Sequence, residues 1–189
     1  MCIRDSRDGD IDNRFNGERL NEQDRQGFRG QLLWMPNERF SARLIGDYAL
    51  QDESAVLAAS HLSSMTRQRA AFVGYQPLPA SPFARRVEQN DGNRLQTLQR
   101  GLTLQLDNYL DNDLTLTSLS GYRDWSYDSR HDADSMPLSV ARSAVQLDHH
   151  QFSQELRLAQ SLGERFDYVL GVYYLQQRLQ RDVDVAFGS

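Results

Sequence analysis

Charged side chains alternate with apolar ones along several short stretches of this 189-residue sequence. In QFSQELRLAQS, residues 151–161, Glu155 and Arg157 flank Leu156, and Phe152 lies on the apolar side. A carboxylate and a guanidinium at this spacing can pair with each other, bind an ionic ligand or face water. Their role depends on whether the apolar side faces a protein core or lipid, because a membrane barrel places lipid outside and a wet lumen inside.

Six charged residues occupy the polar positions of such stretches and are the candidate binding residues of the chain. They are Arg29, Arg43, Asp47, Arg123, Glu155 and Arg157. Such residues could guide an anionic ligand or hold a domain inside a barrel by charge pairs. The alternative is a hydrated barrel wall, for which any polar residue suffices.

Other chemistry has weaker support in the sequence. His131 lies in DSRHDADSM, and His149 and His150 follow in the same polar region, but their spacing matches no zinc template and predicts solvated side chains. Ser and His are scattered, and no nucleophile elbow, metalloprotease helix or phosphate loop is present. We therefore predict no metal, no cofactor and no enzymatic activity. Cys2, the single cysteine, excludes a disulfide within the chain.

Composition narrows the class of protein further. A net charge of −5 gives no support for a nucleic-acid partner. No apolar run of about 18 residues exists, so a transmembrane helix is not expected. The mean hydropathy of −0.66 is still compatible with barrel strands, since these alternate lipid-facing and lumen-facing residues.

Period-two alternation predicts six strands. In FSARLIGDYALQ, Phe40, Leu44 and Tyr48 share one parity, while Arg43 and Asp47 share the other. A helix would leave these residues without an apolar stripe. The predicted strands cover residues 27–35, 40–51, 102–110, 114–127, 151–161 and 166–177.

The connections between these strands alternate in length. Short polar turns such as PNER (36–39) join the strands in three hairpins, whereas residues 7–25, 52–93 and 128–148 are predicted to be long loops. A short helix is expected within ESAVLAASHLSSM (53–65). Loops this long are uncommon in compact soluble domains, but transmembrane barrels combine short periplasmic turns with long extracellular loops. The predicted fold is therefore all-β: antiparallel up-and-down strands of a transmembrane barrel, here an open curved sheet of six strands.

Aromatic residues on the apolar parity favour the membrane interpretation. One group lies beside the short turns and a second lies several residues further along, as the aromatic girdles of a barrel would. Arg100 shares the apolar parity and is expected above the hydrocarbon. There it would extend to the surface, or meet lipopolysaccharide phosphates in the alternative interpretation.

Three passages resemble the barrel of TonB-dependent outer-membrane receptors. They are DRQGFRGQLLWMPNERFSARLIGDY, LTLTSLSGYRDWSYD and QFSQELRLAQSLGERFDYVLGVYY, of which the last two resemble the LTSxTGYRD and QExRLxS passages of that family. The resemblance implies a 22-stranded barrel with an N-terminal plug, in the outer membrane of a Gram-negative bacterium. It also implies energy-coupled uptake of a scarce ligand such as a ferric siderophore. The implied partners are outer-membrane lipid and lipopolysaccharide, an iron chelate, and the TonB complex acting through the plug.

Two resemblances together give the domain prediction. Residues 1–6, MCIRDS, resemble translated adapter sequence and are expected to be a non-native tail. Residues 7–189 are expected to be a partial receptor barrel without the plug, so that this chain alone would transport nothing. Two alternatives stay open: an outer-membrane barrel enzyme, and a soluble β-sandwich binding module whose apolar residues would be buried by a second sheet.

Overall fold

The computed structural model describes residues 2–54, 63–77, 81, 83–163 and 165–187. These residues are mostly β-structure, with one short helix among them. In chain order the elements are β1 (Cys2–Arg7), β2 (Ile11–Asn13), β3 (Arg19–Leu20), β4 (Gln23–Asn37), β5 (Phe40–Glu53), α1 (Ser64–Phe72), β6 (Arg86–Val87), β7 (Arg94–Tyr109), β8 (Thr115–Asp132), β9 (Ala141–Leu162) and β10 (Phe166–Phe187).

Seven strands form one open antiparallel sheet in the order β1-β4-β5-β7-β8-β9-β10. The six predicted strands are β4, β5 and β7 to β10, and each pairs with its neighbour in the chain. This confirms the predicted fold class. Seven strands take the place of the about six expected, because β1 also pairs with β4, from Cys2↔Phe28 to Arg7↔Gln23.

Three tight turns close the hairpins at one end of the sheet. Asn37 Oδ1 accepts a hydrogen bond from the Arg39 N–H at 2.9 Å in the first turn. Asn112 and Asp113 have positive φ angles of 63° and 55° in the second, and these residue types tolerate the left-handed region. Gly163, with φ 69°, serves the third. Short polar sequences therefore specify this end of the sheet.

The strands are longer than the alternation predicted. Strands β9 and β10 each have 22 residues, about 70 Å of extended chain, whereas a tilted strand needs about 10 residues to cross a bilayer. The predicted loop 128–148 was mostly wrong, since β8 continues to Asp132 and β9 begins at Ala141. The predicted loops 7–25 and 52–93 also contain strand residues. Most of the helix expected in 53–65 lies outside the described residues.

The described residues of the large sheet form no apolar core. Among the described residues, the buried hydrophobic side chains are Leu20, Ala70, Val87 and Met136, and none of them belongs to the seven strands of this sheet. Side chains that a sandwich would bury are open to solvent, as in Leu170 at 63% and Val172 at 67% exposed. The described residues thus provide no second sheet over these side chains, which counts against the alternative of a soluble β-sandwich.

The buried hydrophobic side chains lie instead in a compact unit beyond the long-loop end of the strands. This loop cluster comprises residues 8–22, 63–77, 83–93 and 133–140, and contains a small sheet in the order β3-β2-β6. The parallel pairing of β2 with β6 joins segments more than 70 residues apart in sequence. The long connections are thus packed against one another.

A chain of buried amides holds the loop cluster to the large sheet. Asn13 Nδ2 donates to the Gln89 carbonyl at 2.8 Å, and the Gln89 N–H donates to Asn13 Oδ1 at 3.0 Å. Asn93 Nδ2 donates to Gln89 Oε1 at 2.6 Å, and the Asp132 N–H donates to Asn93 Oδ1 at 2.8 Å. Because each group is nearly fully buried, removing one partner would leave an unsatisfied polar atom.

Strand β1 joins the large sheet through its backbone pairing, and all six of its residues are exposed. Its last residue, Arg7, also forms an ion pair with Asp10 at 3.2 Å. An open sheet edge accepts any extended segment, so this pairing does not test the origin of residues 1–6. That they are a non-native tail stays a prediction. None of the helical segments in the described part of the chain has the length and apolar character needed to cross a membrane.

The stability of the folded loop cluster is predicted to rise as the pH falls. Burial raises the pKa of the Asp132 carboxyl from 3.8 to about 6. The backbone N–H groups of Ser135 and Asp134 donate to Asp132 Oδ1 and lower this pKa, but their effect is smaller than that of burial. The folded cluster then binds a proton more tightly than the unfolded chain, so its stability rises as the pH falls from 7 toward 4. Asp132→Asn keeps the accepting oxygen and removes the buried charge. We expect it to stabilise the cluster at pH 7 by on the order of 2 kcal/mol and to abolish this pH dependence.

Hydrogen–deuterium exchange of the Ser135 and Asp134 amides at pH 5 and pH 7, corrected for intrinsic rates, measures this effect in the detergent-solubilised full-length protein. Asp128→Asn is the control, because Asp128 lies on the same strand and is only half-buried. Equal pH dependence in the wild type and in Asp132→Asn would refute the prediction.

Candidate functional site

The large sheet presents two chemically different faces. Residues that pair directly across neighbouring strands project to the same side, and the registers connect Phe28, Tyr48, Arg100, Asp124 and His150. Even-numbered residues of β5 and β7 to β10, and of β4 up to its bulge, therefore share one face, here called the Leu102 face. Odd-numbered residues share the other, the Arg123 face.

An apolar band crosses the Leu102 face near the tight turns. Leu102 is 52% exposed and Leu170 is 63% exposed, so the described residues leave the band uncovered. Two groups of aromatic residues border it, as predicted. The lower aromatic level contains Trp34, Phe40, Phe166 and Tyr168, and the upper aromatic level contains Phe28, Tyr48, Tyr122, Phe152 and Tyr174.

Ring contacts reinforce both levels. The Trp34 and Phe40 centroids lie 5.9 Å apart with an edge-on geometry, and those of Phe152 and Tyr174 lie 6.4 Å apart. The eight residue steps from Phe40 to Tyr48 correspond to about 26 Å along the strand. Once a strand tilt near 40° is included, the band is about 20 Å tall, which approaches the apolar band of about 25 Å of a transmembrane barrel.

A few polar side chains lie within the band and satisfy one another. Ser120 Oγ donates to Gln154 Oε1, and Gln154 Nε2 donates to Ser118 Oγ at 3.0 Å. These positions explain the weaker alternation of β8 in the sequence. Mutual hydrogen bonding lowers the cost of placing them in an apolar environment.

The polarity of the two faces exchanges beyond the upper aromatic level. Leu102-face positions become polar, as in Arg178 and Asp182, while Arg123-face positions become apolar, as in Leu179 and Val183. Trp125 belongs to this upper part of the Arg123 face, with its ring centroid 6.2 Å from that of Tyr127. The exchange was not predicted from the sequence, because the strands were expected to end near residues 127 and 177. The alternation in fact continues beyond these residues in the opposite sense.

Three of the six candidate residues meet on the Arg123 face. Asp47 Oδ2 lies 3.0 Å from Arg123 Nη1, and Asp47 Oδ1 lies 4.0 Å from Arg29 Nη1. Asp47 and Arg123 belong to strands β5 and β8, which are separated by β7. Gly101 of β7 pairs with both residues and makes the bridge possible, since a Cβ there would lie 2.9 Å from the Asp47 carboxylate.

The other three candidate residues do not join this cluster. Arg157 Nη2 donates to Glu155 Oε2 at 2.9 Å, so these two form a local pair along β9. Arg43 is exposed and has no ion pair among the residues that the structure describes. Asp107 was not among the predicted candidates, and it accepts hydrogen bonds from Gln105 Nε2 at 2.8 Å and Thr117 Oγ1 at 2.7 Å.

A cleft of about 1400 Å³ lies between the upper strand ends and the loop cluster. Its lining is strongly charged and includes Asp52 and Arg94, joined by bonds from Arg94 Nε at 3.0 Å and Nη2 at 2.6 Å. Hydrogen bonding to the Arg94 guanidinium holds the pKa of the Asp52 carboxyl below its usual range. Because seven segments of the chain contribute to the lining, the local sequence patterns could not reveal it.

The structure also bears on catalytic and metal chemistry. His150 Nδ1 lies 2.7 Å from Asp124 Oδ2, an arrangement that orients an imidazole. Within the described ranges, no hydrogen bond joins His150 to a hydroxyl nucleophile, and Asp124 also binds the Arg100 guanidinium. No set of three or more His, Cys, Asp or Glu side chains in the described part of the chain could hold a metal ion.

Gly101→Ala is predicted to uncouple Asp47 from Arg123. The new methyl group would occupy the space through which the two side chains meet, as the 2.9 Å approach shows. A double-mutant cycle with Asp47→Asn and Arg123→Gln, measured by urea unfolding of the full-length protein in micelles, should give a coupling of about 0.5–1 kcal/mol. That coupling should fall to near zero in the Gly101→Ala background.

Gly46→Ala is the matched control for this cycle, because the nearest atom to its added Cβ is Leu102 Cδ1 at 3.9 Å on the opposite face. An unchanged coupling in Gly101→Ala would show that the bridge does not depend on this glycine.

Comparison with known proteins supports the fold. No family model and no curated protein matches the chain. A solved structure, the ferric yersiniabactin uptake receptor FyuA from Yersinia pestis, matches 98% of this chain with a TM-score of 0.70 and 15% sequence identity. The chain spans 27% of the length of that receptor. At this identity the likeness shows the fold: the chain is folded like about a quarter of an uptake receptor, in agreement with the fold that the family resemblance implied.

Proposed function

We propose that the chain is a section of the wall of an outer-membrane β-barrel of the TonB-dependent receptor family, and that the whole protein takes up a scarce ligand such as a ferric siderophore. One observation carries this proposal. The Leu102 face presents an uncovered apolar band between two aromatic levels, followed by charged side chains. Lipid would cover such a band, with the aromatic rings at the two interfaces.

The Arg123 face supports a hydrated lumen on the other side. At the height of the apolar band it carries the Asp47–Arg123 bridge and the Glu155–Arg157 pair. The six candidate residues supply four guanidiniums and two carboxylates, so the wall favours an anionic ligand. We infer that these residues face the ligand path or the plug, and that TonB acts through the plug of the whole protein.

The similar structure of an uptake receptor favours transport over catalysis. The outer-membrane enzyme alternative requires a hydroxyl nucleophile beside the His150–Asp124 pair. The neighbour of that pair is Arg100, a cation that cannot attack an acyl group. We therefore propose a receptor without enzymatic activity.

Cysteine labelling of intact Gram-negative cells tests the membrane placement. In a Cys2→Ser background of the full-length protein, Ser139→Cys in the loop cluster should react with a membrane-impermeant maleimide. Glu38→Cys in the first tight turn should react only after the outer membrane is permeabilised, because the short turns of such barrels face the periplasm. Labelling of Glu38→Cys in intact cells, or recovery of the protein in the detergent-free soluble fraction, would contradict the proposal.

Uptake of radioactive iron tests the transport step. The iron is supplied as chelates extracted from the host's own iron-starved culture medium. Cells lacking the full-length protein should lose this uptake. Cells lacking TonB should lose it as well, because without TonB the barrel receives no energy from the inner membrane. Uptake that is retained without TonB, in cells whose protein is correctly inserted, would refute energy coupling while leaving the barrel intact.

A further inference from the structure

A row of charged residues crosses the Leu102 face immediately beyond the upper aromatic level. Arg100, Asp124, His150 and Arg178 are direct register partners on β7, β8, β9 and β10, and together they are called the charged row. The register continues from Arg100 to Tyr48 of the upper aromatic level on β5. The row therefore follows the border between the apolar band and the polar upper strands.

Asp124 orients two neighbours in this row, the Arg100 guanidinium and the His150 imidazole. Arg100 donates to Asp124 Oδ1 from Nε at 3.0 Å and from Nη2 at 2.6 Å. His150 Nδ1 lies 2.7 Å from the other carboxylate oxygen. The Asp124 side chain is only 11% exposed, whereas the Arg100 side chain is 58% exposed and that of His150 is 51% exposed. An approaching molecule thus meets the donors and not the carboxylate.

Arg178 adds a second guanidinium at the end of the row. Its side chain is exposed and makes no ion pair with any described residue. The next charged side chains along the Leu102 face of β9 and β10 are acidic, at Asp148 and Asp182, and arginines return only near the strand ends, at Arg94, Arg130 and Arg142. The charged row is therefore the cationic part of this face that borders the apolar band.

The other side of the row is apolar. Leu102 and Tyr122 are register partners that lie one two-residue step nearer the tight turns, about 7 Å along the strand. Phe152 is in register with Tyr122 and extends this apolar surface across β9. A molecule in contact with both the row and the band must therefore be an amphiphile with an anionic head.

We propose that the charged row binds the phosphate of a lipid headgroup in the outer leaflet, with the acyl chains of that lipid on the apolar band. This inference rests on the proposed membrane placement of the Leu102 face. Guanidinium groups bind phosphate through paired N–H donors. On Arg100, Asp124 takes donors of Nε and Nη2 only, and on Arg178 no donor bonds another side chain within the described residues. A free phosphate ion would use the row alone and gain nothing from the band.

Binding of fluorescent diphosphoryl lipid A to the full-length protein in micelles tests the proposal. Arg100→Gln with Arg178→Gln should weaken binding by about fivefold for each guanidinium removed, since a basic residue near a lipid surface contributes about that factor. Arg181→Gln is the matched control, because Arg181 lies three residues further on β10 and on the Arg123 face. It should bind lipid A like the wild type.

Dephosphorylated lipid A and inorganic phosphate separate the possible ligands. The wild type should bind dephosphorylated lipid A as weakly as the double variant binds the diphosphoryl form, and inorganic phosphate should compete poorly. Equal binding of both lipids, equal losses in Arg178→Gln and Arg181→Gln, or efficient competition by inorganic phosphate would overturn the assignment. If the protein fails to insert into micelles, the proposed membrane placement falls; if it inserts without phosphate dependence, only this inference falls.

Discussion

The structure depends on one shared register of backbone hydrogen bonds across six long strands. Each strand pairs antiparallel with its neighbour in the chain, and the tight turns set the alignment of each hairpin. Because side chains alternate in a strand, a slip of one residue would move every apolar side chain to the opposite face. The apolar band, the aromatic levels and the charged row are therefore properties of this register and not of single residues.

Side-chain pairs contribute less to the sheet than its backbone does. The Asp47–Arg123 and Glu155–Arg157 pairs are half-exposed at their arginines, and such pairs are worth little to stability. Their importance lies in geometry, since they hold charges at defined positions on a wall. The buried amide chain of the loop cluster is different. Asn13, Gln89, Asn93 and Asp132 have almost no access to water, so their mutual hydrogen bonds are needed to keep the long connections together.

Alternation was a reliable guide where one face is apolar and the other polar. It identified all six long strands, the three tight turns and both aromatic levels. It failed beyond residue 177, where Leu179 and Val183 continue the alternation on the opposite parity. At this point the apolar residues change to the opposite face of the strand, while the backbone pairing continues. A prediction that assumes one constant apolar face therefore places the end of the strand where that face ends. Loop composition was misleading for the same reason, because polar residues such as Gln146 and Asp148 occupy a solvated face of β9.

The sequence by itself determined the period-two pattern, the turn chemistry and the apolar parity, because these depend on residues that are near one another in the chain. Only the tertiary structure decided which charges meet. Asp47 and Arg123 are 76 residues apart and come together through the space above Gly101, and Asn13 and Gln89 are separated by the same distance in sequence. The charged row likewise unites residues from four strands whose register is set by the whole sheet. Local preferences can specify a strand and its faces, whereas the neighbours on a face follow from the pairing of distant strands.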